Sequence, residues 1–590
     1  MENKITASQI LKEYENGLEY QKNMGYYEKF PMYERFKFGE QWPPATDRTR
    51  YMPRPVMNII KYIVNQRKSN LLNSPLNILF SADETIEDIP EEMEETEENS
   101  LIKFASEGAD KYTNLAKYVW EDLEQDELND KITEDACTNG TGFVHYYWDI
   151  NVKGGITNSY IGAIRGEIID GLNIFVSNPQ DEEIQNQDYI IVSKRVNVDK
   201  VKEIAKKEGI SFEDIENISS DTTDENYDTS RSEDEEQNMT TLLTRYYRKK
   251  VNVTEEKDGV IIKTEKNQVF FVKSVGETLI TKEHNTRLEK YPIAKFDWYR
   301  RKKSFFGVGE VEGIIPNQKA INFNIAMQLL AVQDMGFPKI IIPEGSIDQK
   351  ITNEPGEIIV EHTFNGAGVR YLNPPAFSSM PLNLSDSIYE KTRTLAGVSD
   401  TSTGEAFTAN MAASAIIALQ NQAKVPIQNI QQKFFRFIED VARIWLEFFR
   451  HYYSTGRTFA VEDEMGQKHN ETVRGTDYKD FDYKLKIDVG TSSAYSESLA
   501  QSSLDKLFDR GDIDVETYVD LSPNTVMPFK ERLKEIFKQQ REMQQQMPEQ
   551  QQTAPQEEMQ SQISQEGYAD TMANPEISQA VYNKIENESI

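Results

Sequence analysis

One long stretch of the chain constrains its fold more than any other feature. Between residues 412 and 453 apolar side chains recur every three or four positions, which predicts a single long helix with one buried face. The recurring residues are Ile430, Phe434, Phe437, Val441, Trp445 and Phe448. Pro426 is predicted to kink this helix, because proline removes a backbone donor and clashes with the preceding turn.

Two more helices are predicted just before it. Residues 312–335 repeat apolar side chains four apart, at Ile321, Ile325 and Leu329, and residues 384–395 form a second amphipathic pattern. Gly397 follows as a plausible C-terminal cap of the second helix. Short apolar segments between the two helices predict strands: KIIIP, EIIVEH and VRYL.

The first 300 residues combine helices with an antiparallel sheet. Helices are predicted over residues 1–35, 57–72 and 111–135. Alternation then predicts strands in FVHYYWDI, YIGAIRGEI, YIIVSKRV, TTLLTRYYRKK, VIIKTEK and QVFFVKSVGETLI. Towards the C-terminus a hairpin is predicted between RTFAVEDEMG and YKLKIDVG, followed by helices within residues 496–540. The fold class is therefore mixed α+β and helix-rich.

Charge and length narrow the class of protein. The net charge is −32, and residues 83–98 and 213–236 contribute much of it, with ten and eleven acids respectively. Such acidic blocks are typical of solvated loops or interaction tails, and so acidic a protein is a poor candidate for tight DNA binding. The 590 residues suggest three or four domains' worth of chain.

Several features indicate where the protein works. No apolar run approaches the ~18 residues that span a bilayer, so no membrane association is predicted. The N-terminus lacks the apolar stretch of a secretory signal. Cys137 is the only cysteine, which excludes disulfides and cysteine-based metal clusters and suits a reducing cytosol.

Motifs of catalysis are missing from the sequence. It contains no phosphate-binding GxxxxGK[ST] loop, no GxSxG and no HExxH, and its five histidines are scattered. The glycines of GVGEVEG lack the spacing of a dinucleotide loop. No enzyme activity, cofactor or metal is therefore predicted, although a carboxylate cluster that binds Mg²⁺ stays open because acids are abundant.

Two basic segments are interleaved with aromatic residues. FDWYRRKKSFF lies at 296–306 and RYYRKK at 245–250. Such segments suit contact with phosphates or with an acidic partner. The alternatives are an exposed strand edge guarded by cations, or ion pairs between subunits.

The order of elements over residues 305–453 resembles the core of tailed-bacteriophage portal proteins, most like those of short-tailed phages. It runs through FFGVGEVEGIIPNQKAINFNIAMQLL, MGFPKIIIPEG, DSIYEKTRTLAG, VSDTSTGEAFTAN and MAASAIIALQNQ. The N-terminal FKFGEQWPP and RPVMNIIKYIVNQRKSNLL, and KIDVGTSSAYSESLAQSSLDKLFDRGDI near the end, are also similar to portal sequences. The two acidic blocks do not belong to the shared pattern.

The resemblance implies a portal fold with wing, stem, clip and crown regions. It divides the chain into an N-terminal wing region (1–303), a first stem helix (304–337), a clip module (338–376), a second stem helix (377–397), a channel loop (398–411), a long kinked wing helix with a β-hairpin (412–490), crown helices (491–546) and a Gln-rich, partly disordered tail (547–590).

The resemblance also implies a function and a set of partners. Portal proteins form a ring, with twelve subunits expected, at one capsid vertex of the virion after assembly in the host cytoplasm. The ring carries double-stranded DNA non-specifically during packaging and ejection. Its other expected partners are the major capsid protein, the scaffolding protein, terminase and a tail adaptor protein.

Candidate channel residues follow from this comparison. The small, polar loop is expected to touch passing DNA through Ser399, Asp400, Thr401, Ser402, Thr403, Gly404 and Glu405. Lys391 and Arg393 are candidate phosphate contacts in the channel. The plain alternative for the loop is a connector between two helices.

Two other functions remain open from the sequence. The first is another adaptor or head-completion protein of the virion, with a similar core but no channel. The second is a phage nuclease or hydrolase with an unfamiliar site.

Overall fold

A computed structural model describes most of the first 489 residues and a short part of the remainder. The described residues are 5–47, 49–50, 52–73, 76–82, 97–154, 159–221, 238–257, 260–336, 339–341, 344, 370–372, 380–398, 413–462, 468–479, 481–489, 504–508, 510–511, 513 and 515–522. The chain divides into two compact units, Met1–Ser492 and Ser493–Ile590.

Helices make up much of the described part of the first unit, and one helix is described in the second. They are α1 (Ala7–Asn23), α2 (Tyr26–Phe38), α3 (Ile59–Leu72), α4 (Glu97–Asp122), α5 (Gln125–Asn139), α6 (Val198–Lys207), α7 (Phe212–Glu216), α8 (Glu310–Gly336), α9 (Met380–Leu395) and α10 (Ala413–Tyr452) in the first unit, and α11 (Val515–Leu521) in the second. In the described part of the chain, no helix has the length and apolarity needed to span a bilayer.

Strands lie in the first unit. They are β1 (Leu76–Ala82), β2 (Thr141–Asp149), β3 (Lys153–Gly154), β4 (Ser159–Tyr160), β5 (Ala163–Ile169), β6 (Ile174–Val176), β7 (Tyr189–Asn197), β8 (Met239–Lys257), β9 (Val260–Val275), β10 (Thr278–Leu279), β11 (His284–Asn285), β12 (Ile293–Asp297), β13 (Lys339–Ile341), β14 (Arg370–Leu372), β15 (Arg457–Glu462), β16 (Lys468–Val473) and β17 (Tyr483–Val489). The mixed α+β class predicted from the sequence is confirmed.

The long helix α10 forms the centre of the main core. The six apolar residues that predicted it are all at most 2% exposed. They pack against aromatic residues of the neighbouring strands, as where Phe434 meets Phe296 edge-on with ring centroids 5.4 Å apart. The helix continues through Pro426.

Two predicted helices are each split in the structure. The helix predicted over residues 1–35 is interrupted at Gly25, whose φ of 73° breaks the helical path between α1 and α2. The helix predicted over 111–135 begins earlier, ends at Asp122 and resumes as α5 after Glu124, a non-glycine residue with φ of 51°. A left-handed residue ends a run of helical hydrogen bonds, so each element becomes a pair.

The predicted strands around residues 141–280 are confirmed and form two sheets. One has the order β10-β9-β8-β7-β6, with β11 also paired to β9, and the other has the order β12-β2-β5. Strand β8 pairs with β9 along all of RYYRKK but with β7 only as far as Tyr247, so residues 248–250 lie on a strand edge. The edge alternative is therefore wrong for residues 245–247 and holds for the three cations at 248–250.

The predicted C-terminal hairpin is also wrong. Strand β15 pairs with β16, which the sequence did not indicate, and β17 pairs antiparallel with the distant β1. The register places Leu76 opposite Val489 and Ala82 opposite Tyr483. Residues 357–362, the channel loop 399–405 and most of the two acidic blocks lie outside the described residues.

Candidate subunit interface

Helix α8 is anchored to the N-terminal helices by a buried pair of amides. The side-chain oxygen of Gln318 accepts from the backbone N–H of Ile59, at 2.9 Å, and its nitrogen donates to the carbonyl of Met57. Asn322, one turn later, donates to Gln41 at 2.6 Å. The first amides of a helix have no partner within it, so Gln318 caps α3 from a position about 260 residues away.

The beginning of α8 is fixed by a buried charged group. Glu310 accepts hydrogen bonds from the indole of Trp298 and from the hydroxyl of Tyr299, at 2.9 and 2.8 Å. Arg67 donates to the same tyrosine hydroxyl, at 3.2 Å. Burial raises the pKa of Tyr299 to about 12, with the Glu310 carboxylate as the second cause.

Helices α8 and α9 form an antiparallel hairpin with a polar seam. Asn317 donates to the hydroxyl of Thr392 at 3.1 Å, and Gln328 donates to the hydroxyl of Ser385 at 3.1 Å. Strands β13 and β14, which pair with each other, lie between the two helices in the chain. We call the two helices the α8–α9 hairpin.

Large apolar side chains are exposed along both helices of this hairpin. On α8 five large side chains are between 43 and 62% exposed: Phe323, Met327, Leu329, Val332 and Met335. On α9 four more are between 49 and 83% exposed: Met380, Leu382, Leu384 and Leu395. We call these nine residues the apolar face. The first half of α8 is apolar as well, and there Ile314, Ile315 and Ile321 are buried in the core.

A helix that is apolar on all sides is normally buried. In the isolated subunit the second half of α8 is not covered, and an exposed apolar patch of this kind marks a protein-protein contact. A cavity of about 710 Å³ lies beside it, between the loop at Gln41–Pro44 and α8, and Phe323 belongs both to its lining and to the apolar face. The hairpin is therefore the best candidate for a contact between subunits.

Helix α9 ends as the sequence predicted. Gly397 has φ of 68°, and the amides of Gly397 and Val398 donate to the carbonyls of Thr394 and Arg393 at 3.0 and 2.9 Å. This is the Schellman arrangement, which needs a left-handed residue after the helix. A Cβ at Gly397 would lie 2.9 Å from the Cβ of Pro426 on α10, so the glycine also allows a close approach.

The two candidate phosphate contacts occupy different environments. Lys391 is exposed on α9. Arg393 is only 7% exposed, and its guanidinium lies 5.7 Å from the ring centroid of Tyr62 and 5.8 Å from that of Tyr389. In the subunit as it stands Lys391 is thus the accessible cation of the two, and contact with DNA stays a prediction for both.

A polar group that sequence reasoning missed links the two main sheets. His145 on β2, treated above as one of five scattered histidines, lies 3.1 Å from Glu167 on β5 through Nδ1 and 2.9 Å from the hydroxyl of Tyr246 on β8 through Nε2. The hydrogen bond from His145, followed by that from Lys194, lowers the pKa of Glu167 to about 2. His145 and Tyr246 are buried, and the hydrogen bond between them joins the two sheets.

Potential metal ligands are dispersed in the part of the chain that the structure describes. Within the described ranges no three or more His, Cys, Asp or Glu side chains gather in an arrangement that could hold a metal ion. Cys137 is fully buried, and burial raises the pKa of its thiol.

The comparison with known proteins identifies the family of this chain, and that family is consistent with the exposed apolar hairpin. Exposed apolar side chains such as those of the α8–α9 hairpin are typical of a surface that packs against another chain. The sequence model of the family described as phage P22-like portal protein matches residues 11–581, almost the whole chain. The chain therefore belongs to the P22-like phage portal protein family, a family of structural proteins of the virion. No curated protein matches the chain.

Proposed function

We propose that copies of this chain form a ring at one capsid vertex, and that the ring is the conduit for DNA during packaging and ejection. The observation that carries the proposal is the apolar face of the α8–α9 hairpin, which a second copy would cover. A head-to-tail interface joins two different surfaces of the same subunit and closes into a ring when the rotation allows it. The cavity beside Phe323 offers a second, receiving surface.

The order helix, strand pair, helix supports a portal over a simple adaptor. In the proposed ring α8 and α9 are the two stem helices, and the β13–β14 pair belongs to the clip module that docks terminase and later the tail adaptor protein. The outer wall would meet the major capsid and scaffolding proteins. Twelve subunits, and non-specific contact of the channel loop 399–405 with duplex DNA, are part of the same proposal.

The low affinity for DNA that a conduit needs is consistent with the charge of the chain. A net charge of −32 opposes retention of a polyanion, because phosphate neutralisation by Lys and Arg dominates DNA affinity. A ring of subunits with this excess of negative charge would let DNA pass without trapping it.

The mass of the purified protein tests the ring. Light scattering and negative-stain images of one fraction should give a ring near twelve times 68.0 kDa, with a hole wide enough for duplex DNA. The measurement is repeated with scaffolding protein present, because some rings assemble only with it. A small oligomer under both conditions would contradict the proposal.

The conduit needs a second test, in phage. A variant with SDTSTGE at 399–405 replaced by a Gly-Ser segment of equal length should still form rings but package or retain less DNA. Unchanged packaging and retention would show that the loop is only a connector.

A further inference from the structure

The two basic aromatic segments, 52 residues apart between Arg248 and Arg300, line one cavity. The cavity has a volume of about 870 Å³ and lies between β12, the 182–186 turn and helix α10, which contributes Lys433, Arg436 and Arg443. Sequence reasoning treated the segments separately, and only the fold brings them to the same place. We call this cavity the basic cleft.

The basic cleft has the opposite charge to the protein. Seven cations and four acids line it, a local excess of three positive charges in a chain of net charge −32. The cations are Arg248, Lys290, Lys295, Arg300, Lys433, Arg436 and Arg443, and the acids are Glu182, Glu183, Asp297 and Asp440. A concave site lined by one sign of charge concentrates the field and attracts the opposite charge.

Three of the acids are already paired. Glu182 pairs with Arg300, Asp297 lies 2.9 Å from Lys295, and Asp440 lies 3.2 Å from Arg443. The fourth acid, Glu183, has no cation within salt-bridge distance among the described residues.

Four cations of the cleft form no salt bridge with any described carboxylate. Arg248 donates to Gln185 and Lys433 donates to the carbonyl of Trp298, so both are held in place by neutral acceptors. Lys290 and Arg436 have no hydrogen bond or ion pair through their side chains in the described part of the chain. Burial, and then Arg443, lower the pKa of Lys290. The cleft is therefore short of negative charge.

The layout favours an extended ligand over a single phosphate. Lys433, Arg436 and Arg443 follow one another along α10 over ten residues, about 15 Å of helix at 1.5 Å per residue. An extended peptide of about five residues covers the same length. Duplex DNA is far too wide for a cavity of about 870 Å³, whereas one strand of peptide fits a site of this size.

We propose that the basic cleft binds an acidic peptide segment, whose carboxylates pair with Arg248, Lys290, Lys433 and Arg436. Arginine suits this task because its planar guanidinium takes a carboxylate in two parallel hydrogen bonds. The segment belongs to a partner protein with an acidic stretch, whose charge complements the excess of cations in the cleft. The site does not depend on the ring proposed above, because every lining residue belongs to one subunit.

Fluorescence polarisation with the full-length protein tests the proposal. The probe is a labelled peptide of residues 83–98, DETIEDIPEEMEETEE, at fixed ionic strength. The double substitution Lys290→Gln with Arg436→Gln should weaken its binding about tenfold, from two lost ion pairs. The matched control, Lys200→Gln with Lys206→Gln, removes the same charge from exposed positions on α6 and should leave binding unchanged.

The outcomes separate the alternatives. Equal binding by both double variants would overturn the proposal, because net charge alone would then explain it. Displacement of the peptide by a short DNA duplex with the same dependence on Lys290 and Arg436 would also overturn it, in favour of nucleic acid. A scrambled 83–98 peptide tests the source: equal binding of the scramble supports an acidic partner protein, and weaker binding would overturn that source in favour of the chain's own segment.

Discussion

Arg67 and Glu310 face each other across 3.7 Å in the core, where their side chains are 3 and 9% exposed. The pair joins α3 to the first residue of α8, so it sets the point from which the α8–α9 hairpin begins. Removing one member of a buried pair leaves the other charge without compensation, which costs more than the pair itself contributes.

Glu310→Gln is expected to lower the free energy of unfolding by about 3 kcal/mol, because Arg67 would lose its counter-ion. Urea unfolding followed by tryptophan fluorescence measures this. Glu203→Gln, which removes an exposed partner of Lys207 on α6, should change nothing measurable. If the two variants unfold at the same urea concentration, the buried pair contributes no more to stability than the exposed pair of Glu203 and Lys207.

Gly397→Ala is expected to destabilise the junction between α9 and α10. Any side chain in a left-handed conformation costs about 1 kcal/mol. Gly209→Ala is the matched control, because Gly209 has φ of 71° with nothing within 4 Å of its added Cβ. The contact with Pro426 should cost Gly397→Ala about 1–3 kcal/mol beyond the control. Equal losses of stability for both variants would show that the backbone near Gly397 or Pro426 shifts to make room for the added Cβ.

The apolar face can be tested by charge. Leu329→Glu with Val332→Glu is expected to prevent assembly while the subunit stays folded, because the introduced carboxylates would be buried without partners in an interface. Sedimentation velocity reports the assembly state, and circular dichroism reports the fold. Phe212→Glu, at a side chain 71% exposed on α7, is the control and should assemble normally. Rings of unchanged mass in the double variant would place the interface elsewhere.

Lys391 and Arg393 should respond differently to substitution. Arg393→Gln is expected to cost about 1–2 kcal/mol of stability, since it removes a guanidinium packed between Tyr62 and Tyr389. Lys391→Gln should leave stability unchanged and alter only the passage of DNA in a packaging assay. A normal packaging rate for Lys391→Gln would show that Lys391 does not act on DNA in the channel.

The dependence of stability on pH should reveal Asp135. Burial, and then the neighbouring carboxylates Asp170 and Glu34, raise its pKa from 3.8 to about 7, so the folded state keeps a proton that the unfolded state has lost. Stability should therefore fall as pH rises from 4 to 7. Asp135→Asn should remove this contribution, so that the wild type loses about 4 kcal/mol more than the variant over that range.

His451 should make stability depend on pH in the opposite direction, with stability lost as the pH falls. Burial, and then Arg450, lower its pKa to about 4, so the unfolded state takes up a proton first as pH falls below 6.5. Stability from this residue should be lost towards acid pH, and His451→Gln should reduce that loss. Urea titrations at several pH values measure both effects. Parallel curves for the wild type and either variant would show that the residue does not titrate as inferred.

The sequence predicted what depends on local pattern. Helix α10 was found because Phe434, Val441 and Trp445 fall on the face that meets the core, and the end of α9 was found because Gly397 is a glycine in a known capping position. The break at Glu124 was missed, since glutamate gives no signal of a left-handed backbone. The same holds for contacts between distant segments: nothing near Arg67 indicates Glu310, and nothing near Leu76 indicates Val489.

The exposure of the apolar face is another feature that local sequence pattern could not predict. Leu329 was grouped with Ile321 as one buried stripe, because both lie on one side of α8. In the structure Ile321 is fully buried and Leu329 is 45% exposed, since α8 runs past the part of the subunit that covers it. Spacing predicts which side of a helix is apolar. What covers that side depends on tertiary structure.

The pairing of β1 with β17 has a consequence for synthesis of the protein. Leu76 leaves the ribosome about 400 residues before its partner Val489, which at 5–20 residues per second is roughly 20–80 seconds of translation. During that time β1 has no strand to pair with, and Tyr112 lacks the carbonyl of Gly475 that its hydroxyl binds at 2.7 Å. A chain that ends before β17 therefore leaves β1 unpaired and the hydroxyl of Tyr112 without its acceptor.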